Sequence, residues 1–109
     1  MKKYFAAYES HDRNTIDELL SDDFRFSSPD DPDIDKAAYF TKCWPFSEKA
    51  KFYKIEKLIE EDDEAFVLYE CETNTGIKFK NTEFFKMKAN KINKVEVYYG
   101  SLPNNDFEP

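Results

Sequence analysis

Glycine is scarce in this chain, and no long apolar run occurs. The 109 residues include 2 glycines, against 11 phenylalanines, 7 tyrosines and 1 tryptophan. Many aromatic side chains with little glycine are typical of a packed globular domain or of a pocket walled by rings. No apolar run approaches the roughly 20 residues of a membrane-spanning helix, and no signal peptide precedes the first predicted helix. We therefore expect a cytoplasmic protein that does not bind membranes.

Residues that ligate metals through sulfur or imidazole are also few. His11 is the single histidine, and the 2 cysteines, Cys43 and Cys71, lie in different predicted elements without a CxxC or zinc-type spacing. We expect two free thiols in a reducing compartment, no metal and no cofactor. His11 falls at a helix end, where a capping or turn role is expected.

Positive charge is in the minority. The chain has 16 Lys and Arg residues against 23 Asp and Glu residues, for a formal net charge of −7. Binding to nucleic acid requires a basic face that neutralises phosphates, and anionic membranes attract basic segments for the same reason. The composition therefore argues against a nucleic-acid partner.

The first half of the chain has the spacing of helices. A first helix is predicted over Lys2 to Ser10, where aromatic residues recur at i, i+1 and i+4. Asp12 or Asn14 can cap a second helix. An acidic, proline-containing loop then precedes a third helix, which Asp33 or Asp35 can cap.

Strand-like alternation continues from Lys51 onward, after one short strand at Phe24 to Ser27. Turn residues divide this half into four runs, and their short connections predict an antiparallel meander. Three helices followed by a meander indicate an α+β fold, packed as a cone-shaped roll with the three N-terminal helices in a curved antiparallel sheet. We expect one domain over residues 1–102 and a polar tail over residues 103–109.

The run from Gly76 to Met87 carries the most informative pattern. In a strand, alternate side chains share a face. One face is solvated and rich in lysine, whereas the other is apolar except for Asn81 and Glu83 at its middle. That second face comprises Ile77, Phe79, Asn81, Glu83, Phe85 and Met87. A carboxyl group that faces a core must be hydrogen-bonded, protonated or hydrated. We therefore predict that this face is the floor of a lined cavity.

The opposite face of the predicted sheet also carries large apolar residues. Phe66, Leu68, Phe84 and Tyr98 fall there among lysines and glutamates. An exposed apolar patch of this kind favours a partner, and a two-fold homodimer is the commonest arrangement.

The order of elements and several strings resemble the nuclear transport factor 2-like superfamily, in its SnoaL-like and ketosteroid-isomerase-like branch. The resemblance spans most of residues 3–100, and its strings run from Tyr4 to Asp12, Leu19 to Phe26, Asn81 to Phe85 and Val95 to Gly100. It implies the cystatin-like cone with an interior pocket. It does not by itself select a function, because the superfamily includes isomerases, cyclases, epoxide hydrolases, dehydratases and non-catalytic binders.

Matching the steroid isomerases implies roles for particular positions. Their oxyanion tyrosine matches Tyr4, and their protonated carboxyl donor matches Glu83. Their general base is an aspartate before a proline, and that position here is Ser28. Asp30 or Asp31 could reach in from the loop as a replacement base.

These considerations give two functional hypotheses. The first is a pocket that binds a small, mostly apolar molecule and carries out cofactor-free proton transfer of the isomerase, dehydratase or cyclase type, with Glu83 and Tyr4 as catalytic residues. The remaining pocket residues are then Tyr8, Ser28, Phe40, Trp44, Asn81, Phe85 and Tyr99. The alternative is a non-catalytic dimeric binding or adaptor domain, in which the aromatic residues form a solid core and Glu83 is a structural carboxyl.

Overall fold

The computed structural model describes residues 2–99, which form three α-helices, one 3₁₀ helix and six strands. The helices are α1 (Lys2–Glu9), α2 (Arg13–Leu19) and α3 (Lys36–Lys42), and a 3₁₀ helix (Trp44–Glu48) follows α3. The predicted tail over residues 103–109 lies outside the described part of the chain.

Two aspartates begin the second and third helices. The Asp12 side chain accepts a hydrogen bond from the Thr15 backbone N–H at 3.1 Å, and Asp35 accepts one from Ala38 N–H at 2.9 Å. An aspartate at this position satisfies backbone donors that have no partner within the helix. The structure thereby selects Asp12 over Asn14, and Asp35 over Asp33, from the alternatives that the sequence left open.

One mixed sheet contains all six strands, in the order β2-β1-β6-β5-β4-β3. The strands are β1 (Leu20–Ser27), β2 (Ile34–Asp35), β3 (Ala50–Glu61), β4 (Glu64–Thr73), β5 (Lys78–Lys88) and β6 (Lys91–Tyr98). The last four form the predicted antiparallel meander. Register shifts in β1, β3 and β5 mark irregularities of the kind that bend a sheet.

The expectation of a purely antiparallel sheet was wrong at one pairing. β1 runs parallel to β6, with Phe26 opposite Val95. Adjacent strands joined by tight turns must be antiparallel, but β1 and β6 are separated by α3 and the whole meander. Their relative direction is therefore decided by the tertiary fold and not by a local turn.

The strand β5 starts later than the sequence pattern indicated. Gly76 adopts a positive φ of 87° in a tight turn, and its N–H donates to the Thr73 carbonyl at 2.9 Å. Ile77 follows in this turn and is 62% exposed, so it does not belong to the inner face of the sheet.

Helix α1 packs into the concave face of the meander and forms the centre of the core. The Phe85 ring lies 5.3 Å from Tyr4 and 6.0 Å from Phe5, measured between ring centroids. Phe5 also packs against Tyr69, at 4.9 Å. Glu83 and Phe85 of β5 are buried, as are alternate residues of β4, whereas the positions between them are more accessible. The predicted register of β5 around Glu83 is therefore confirmed.

The lengths of the helices bear on whether the chain could cross a membrane. Within residues 2–99, none of the helices has both the length and the apolarity needed to span a bilayer.

The Asp35 cap generates a stability prediction. Asp35→Ala removes the acceptor at the start of α3, and we expect it to lower the free energy of unfolding by about 1 kcal/mol. Urea denaturation measures this change. Asp22→Ala, at an exposed position of β1, is the control and should change the free energy of unfolding by less than about 0.5 kcal/mol. Equal effects of the two substitutions would contradict a capping role.

Candidate functional site

A cavity of about 530 Å³ lies between the helices and the inner face of the sheet. This volume falls within the roughly 300–1,000 Å³ that is usual for small-molecule sites. Tyrosine and phenylalanine rings supply most of its wall, and charged side chains are few. The residues that line it are Tyr4, Phe5, Tyr8, Phe26, Ser28, Asp31, Tyr39, Lys42, Cys43, Phe46, Tyr53, Tyr69, Phe79, Lys80, Asn81, Glu83, Val97 and Tyr99.

Glu83 is the buried acid of this cavity, with 6% of its surface exposed. Its Oε2 atom accepts a hydrogen bond from the Tyr69 hydroxyl. Its Oε1 atom is buried and has no hydrogen-bond partner among residues 2–99. Half of the carboxyl group is therefore satisfied by the protein and half is left unsatisfied at the cavity.

The pairing of β4 with β5 positions the partner of Glu83. Tyr69 lies opposite Asn81, and Val67 lies opposite Glu83, so Tyr69 is a diagonal cross-strand neighbour of the carboxyl group. Diagonal neighbours on one sheet face are within reach of long side chains. The Asn81 amide donates to the Tyr69 hydroxyl oxygen at 3.2 Å, which completes a chain of donors that ends on Glu83.

Burial controls the ionisation of Glu83. Loss of hydration raises the pKa of its carboxyl from an ordinary value of 4.5 to about 7, while the hydrogen bond from Tyr69 acts in the opposite direction. Desolvation, which disfavours the charged carboxylate, is the larger of the two effects, since the pKa rises although the hydrogen bond from Tyr69 lowers it. The neutral and ionised forms are therefore both populated near neutral pH.

A second group of hydroxyls lines the cavity from the helical side. The Tyr39 hydroxyl, on α3, is hydrogen-bonded to Tyr4 at 2.6 Å and also to Tyr8. Burial raises the pKa of all three phenols, so they remain protonated at neutral pH. Each phenol has one proton to donate. Two hydrogen bonds use two of the three protons, and the third proton is available to another acceptor.

The rim of the cavity holds the position where the steroid isomerases have their base. Ser28 Oγ accepts hydrogen bonds from the backbone N–H groups of Asp30 and Asp31, at 3.2 Å and 3.1 Å, so it organises the turn. The Tyr99 hydroxyl donates to the Asp30 carboxylate, and Lys42 lies 3.7 Å from the Asp31 carboxylate. Asp31 lines the cavity whereas Asp30 is engaged by Tyr99.

Most of the predicted site residues lie together around the cavity, but three do not line it. Phe85 packs behind the wall, against Tyr4 and Phe5. Trp44 contacts the Tyr8 ring at 4.9 Å, and the Phe40 ring lies beneath the guanidinium group of Arg13. Phe40, Trp44 and Phe85 therefore lie outside the cavity, and each packs against a tyrosine ring that lines it. Phe85 is buried, whereas Phe40 and Trp44 are partly exposed.

Sequence reasoning did not select Tyr39 or Tyr69. Both are buried, Tyr39 on α3 and Tyr69 on β4, where it shares a face with Val67 and Cys71. The strand register was the missing signal for Tyr69, because pairing β4 with β5 brings it next to Asn81 and Glu83. The chain offers no local signal for the contact of Tyr39 with α1.

The cysteines and acidic groups do not assemble into a metal centre in the part of the chain that the structure describes. Cys43 and Cys71 are both free thiols. Cys43 lines the cavity, and burial is the main cause that raises the pKa of its thiol to about 12. It is therefore a neutral wall residue at physiological pH.

The sequence model of the SnoaL-like domain matches residues 1–95. This chain belongs to the SnoaL-like family. The fold of this SnoaL-like domain is the α+β cone of the nuclear transport factor 2-like superfamily. A comparison with curated protein sequences found no match.

Several solved structures are similar to the SnoaL-like domain at low sequence identity. A Kribbella flavida protein is 19% identical, with a TM-score of 0.81, 92% of this chain and 83% of that chain covered. A proposed polyketide cyclase from Sinorhizobium meliloti is 18% identical, with a TM-score of 0.71, 86% of this chain and 88% of that chain covered. A Catenulispora acidiphila protein with a ketosteroid-isomerase-like fold, solved in complex with trimethylamine, is 12% identical, with a TM-score of 0.70, 89% of this chain and 82% of that chain covered. These similarities establish the fold alone.

The environment of Glu83 predicts a pH-dependent stability. Because the folded protein holds this proton up to about pH 7 while the unfolded chain releases it near pH 4.5, the contribution of Glu83 to stability is complete below pH 4.5 and is lost as the pH rises to about 7. The loss is roughly 3 kcal/mol over this window. Urea denaturation of the wild type and of Glu83→Gln measures it as a difference that changes with pH.

The matched control is Tyr69→Phe, which removes the hydrogen bond to the carboxylate. That bond lowers the pKa of Glu83, so its removal should raise the pKa above that of the wild type, as read from the carboxyl ¹³C resonance. A pKa of Glu83 near 4.5 in the wild type would contradict this account of the site.

Proposed function

We propose that this SnoaL-like domain binds a small, mostly apolar molecule in its cavity and exchanges a proton with it through Glu83. The unsatisfied Oε1 atom of that buried carboxyl, at the wall of a cavity of about 530 Å³, carries the proposal. A buried polar atom without a partner costs about 1–3 kcal/mol. A polar group on a bound molecule would remove this cost, and the surrounding rings would bury the apolar remainder.

The protonation state of Glu83 suits proton transfer in both directions. A catalytic group works best when its pKa lies near the working pH, and burial brings the pKa of Glu83 to about 7. The ionised form would take a proton from a carbon next to a carbonyl group, and the resulting neutral acid would return that proton at another position. Return of the proton to another carbon gives isomerisation. Its delivery to a departing hydroxyl group gives dehydration with release of water, and its delivery to the alkoxide formed when the enolate attacks a second carbonyl gives cyclisation, in each case without a cofactor.

Developing negative charge on the ligand oxygen would be stabilised by the tyrosine hydroxyls. The chain of Tyr4, Tyr39 and Tyr8 retains one proton beyond those used within it. A neutral phenol in a partly dry site is an effective donor to an oxyanion. Tyr4 would thereby share in the chemistry, while Asn81 would position Tyr69 and hence Glu83.

Residues at the rim would control access to the cavity. Tyr99 and Ser28 are each bonded to the loop that carries Asp30 and Asp31. Asp31 remains a candidate for the base that Ser28 replaces, since it lines the cavity. It is the weaker candidate because its side chain is partly exposed and lies close to Lys42.

The outer face of the sheet favours a second element of the proposal, a homodimer. The Phe66 and Phe84 rings lie 5.0 Å apart on that face, and Leu68 and Tyr98 are 37% and 54% exposed. Exposed aromatic residues at the centre of a sheet face are typical of an interface between proteins. The cavity is lined by the inner face of the sheet, so a dimer through the outer face would not involve its lining residues of the strands. A dimeric binding domain without catalysis is the alternative that this surface supports.

Proton transfer predicts exchange of hydrogen at carbon. A panel of small cyclic ketones in D₂O, followed by ¹H NMR, should lose intensity at the carbon next to the carbonyl in the presence of the wild-type protein. Glu83→Gln should slow this exchange by about 10²–10⁴-fold, because general base catalysis contributes effects of this size.

Glu70→Gln is the matched control for this experiment. Glu70 is the neighbour of Tyr69 on β4, and its side chain alternates to the other face of the sheet, outside the cavity. We expect wild-type exchange in this variant. Ligand-induced thermal stabilisation without any exchange would support the binding domain, whereas the absence of both effects would reject the pocket.

The dimer hypothesis predicts a concentration-dependent mass. Sedimentation velocity should report a dimer for the wild type and a monomer for Phe66→Ser combined with Phe84→Ser, because the two substitutions remove the aromatic centre of the outer face. Lys2→Ser combined with Lys3→Ser, at exposed positions of α1 and away from the outer face of the sheet, should leave the mass unchanged. A wild-type protein that sediments as a monomer at every concentration would contradict the hypothesis.

A further inference from the structure

We propose that the ligand of this cavity is an amine, with its nitrogen held by Glu83 and its apolar substituents against the surrounding rings. This inference rests on the binding pocket of the proposed function and names the chemical class of its ligand. It replaces proton transfer at carbon with proton exchange at nitrogen, because a carboxylate paired with an ammonium group is not free to act as a base toward carbon.

Within residues 2–99, no cationic side chain pairs with Glu83. The other charged residues of the cavity wall are Asp31, Lys42 and Lys80. The Lys42 and Lys80 side chains are each 55% exposed, with Lys42 lying 3.7 Å from Asp31 and Lys80 lying 3.2 Å from Glu56. Both ammonium groups therefore lie in solvent-accessible ion pairs at the rim. Among residues 2–99, no lysine or arginine forms a salt bridge with Glu83.

Glu83 is also the one group of the inner wall that ionises near neutral pH. The titratable side chains that face it are Tyr4 and Tyr8 from α1, Tyr39 from α3, Cys43 beside α3, Tyr53 from β3 and Tyr69 from β4. Burial raises the pKa of every one of these phenols and of the thiol, so all of them stay neutral. From β6, the residue opposite Glu83 is Val97, which does not titrate. Apart from the rim groups Asp31, Lys42 and Lys80, the charge on the described wall of the cavity is therefore the negative charge of Glu83.

An ammonium group fits this arrangement better than a carbonyl group does, and unlike a neutral hydroxyl it also compensates the buried negative charge. A carbonyl oxygen can pair with Oε1 only while Glu83 is protonated, because it is an acceptor alone. A protonated amine donates an N–H to Oε1 and also neutralises the buried carboxylate, which otherwise has a large desolvation cost. The hydroxyl oxygens and the negative faces of aromatic rings attract a cation as well.

The proton balance of this binding step is defined. When Glu83 is neutral, an ammonium ion displaces its proton: the carboxylic acid and R₃NH⁺ give the carboxylate–ammonium pair and one H⁺ released to solvent. When Glu83 is already ionised, the pair forms without proton release. Because the pKa of Glu83 is about 7 in the free protein, proton release should approach one per ligand at pH 5.5 and fall to a small fraction at pH 8.

Two probes of the same shape test the proposal. They are 4-(dimethylaminomethyl)phenol, which carries the amine, and 4-isobutylphenol, in which a C–H group replaces the nitrogen. Isothermal titration calorimetry in two buffers of different ionisation enthalpy would measure both the affinity and the number of protons released. At pH 7.5 we expect the amine to bind at least tenfold more tightly than its isostere. Its affinity should weaken by roughly tenfold for each pH unit below 7, while that of the isostere should not change.

Substitution of the carboxyl separates charge recognition from shape. In Glu83→Gln, we expect the amine to bind within threefold of the isostere, with no pH dependence and no proton release. Glu70→Gln should behave as the wild type. Should Glu83→Gln fail to fold, Tyr69→Phe serves instead: it raises the pKa of Glu83 and should shift the pH midpoint of amine binding upward.

The possible failures are distinguishable. Equal affinities of the two probes in the wild type, independent of pH, would overturn the amine proposal and leave the pocket standing. An amine preference that survives in Glu83→Gln would overturn it too. Binding of neither probe would overturn the amine proposal together with the proposed pocket.

Discussion

The burial of a carboxyl group with one bonded and one free oxygen is the constraint on which this domain depends. Tyr69 satisfies Oε2 of Glu83, and Asn81 in turn holds the Tyr69 hydroxyl. A core of this size could not tolerate an ionised and unpaired carboxylate, so the proton, a ligand or water must compensate it. The raised pKa, the cavity and the polar chain across β4 and β5 are consequences of that requirement.

The aromatic residues around this carboxyl group form two sets, one that lines the cavity and one that packs behind its wall. An inner set, which includes Tyr4, Tyr39 and Tyr69, presents rings and hydroxyls to the cavity. An outer set, which includes Phe85 and Trp44, fills the space behind the wall. Edge contacts between the rings hold the inner set in place, which allows a hollow to persist in a domain of modest size. The shape of the cavity is thus maintained by packing behind its wall.

This chain shares the fold of its superfamily, but the polar residues at its site differ from those of the steroid isomerases. The aspartate base that the steroid isomerases carry before a proline is Ser28 here, and its hydroxyl organises a turn. Glu83 remains on the late strand, where burial gives its carboxyl a pKa near neutrality. A fold of this kind hosts many chemistries because loops and inward side chains vary while the sheet and helices persist. The chemistry open to this domain is therefore decided by the residues at its site and not by the fold that it shares.

Short-range sequence patterns predict which way a side chain faces, whereas contacts between distant elements depend on the tertiary fold. Alternation along β5 was enough to predict that Glu83 and Asn81 face inward, and helix periodicity was enough to bury Tyr4, because these properties depend on neighbours within a few residues. The parallel pairing of β1 with β6 and the meeting of Tyr39 with α1 join residues far apart in the chain, so they depend on how whole elements dock. The same holds for the separation of cavity-lining rings from supporting rings: Phe40, Trp44 and Phe85 are as aromatic as the residues that line the hollow. Alternation along the chain was enough to assign most inward side chains, with Ile77 as the exception. Which of them meet each other and which border empty space depends on the tertiary structure, because close packing is settled between elements and not along them.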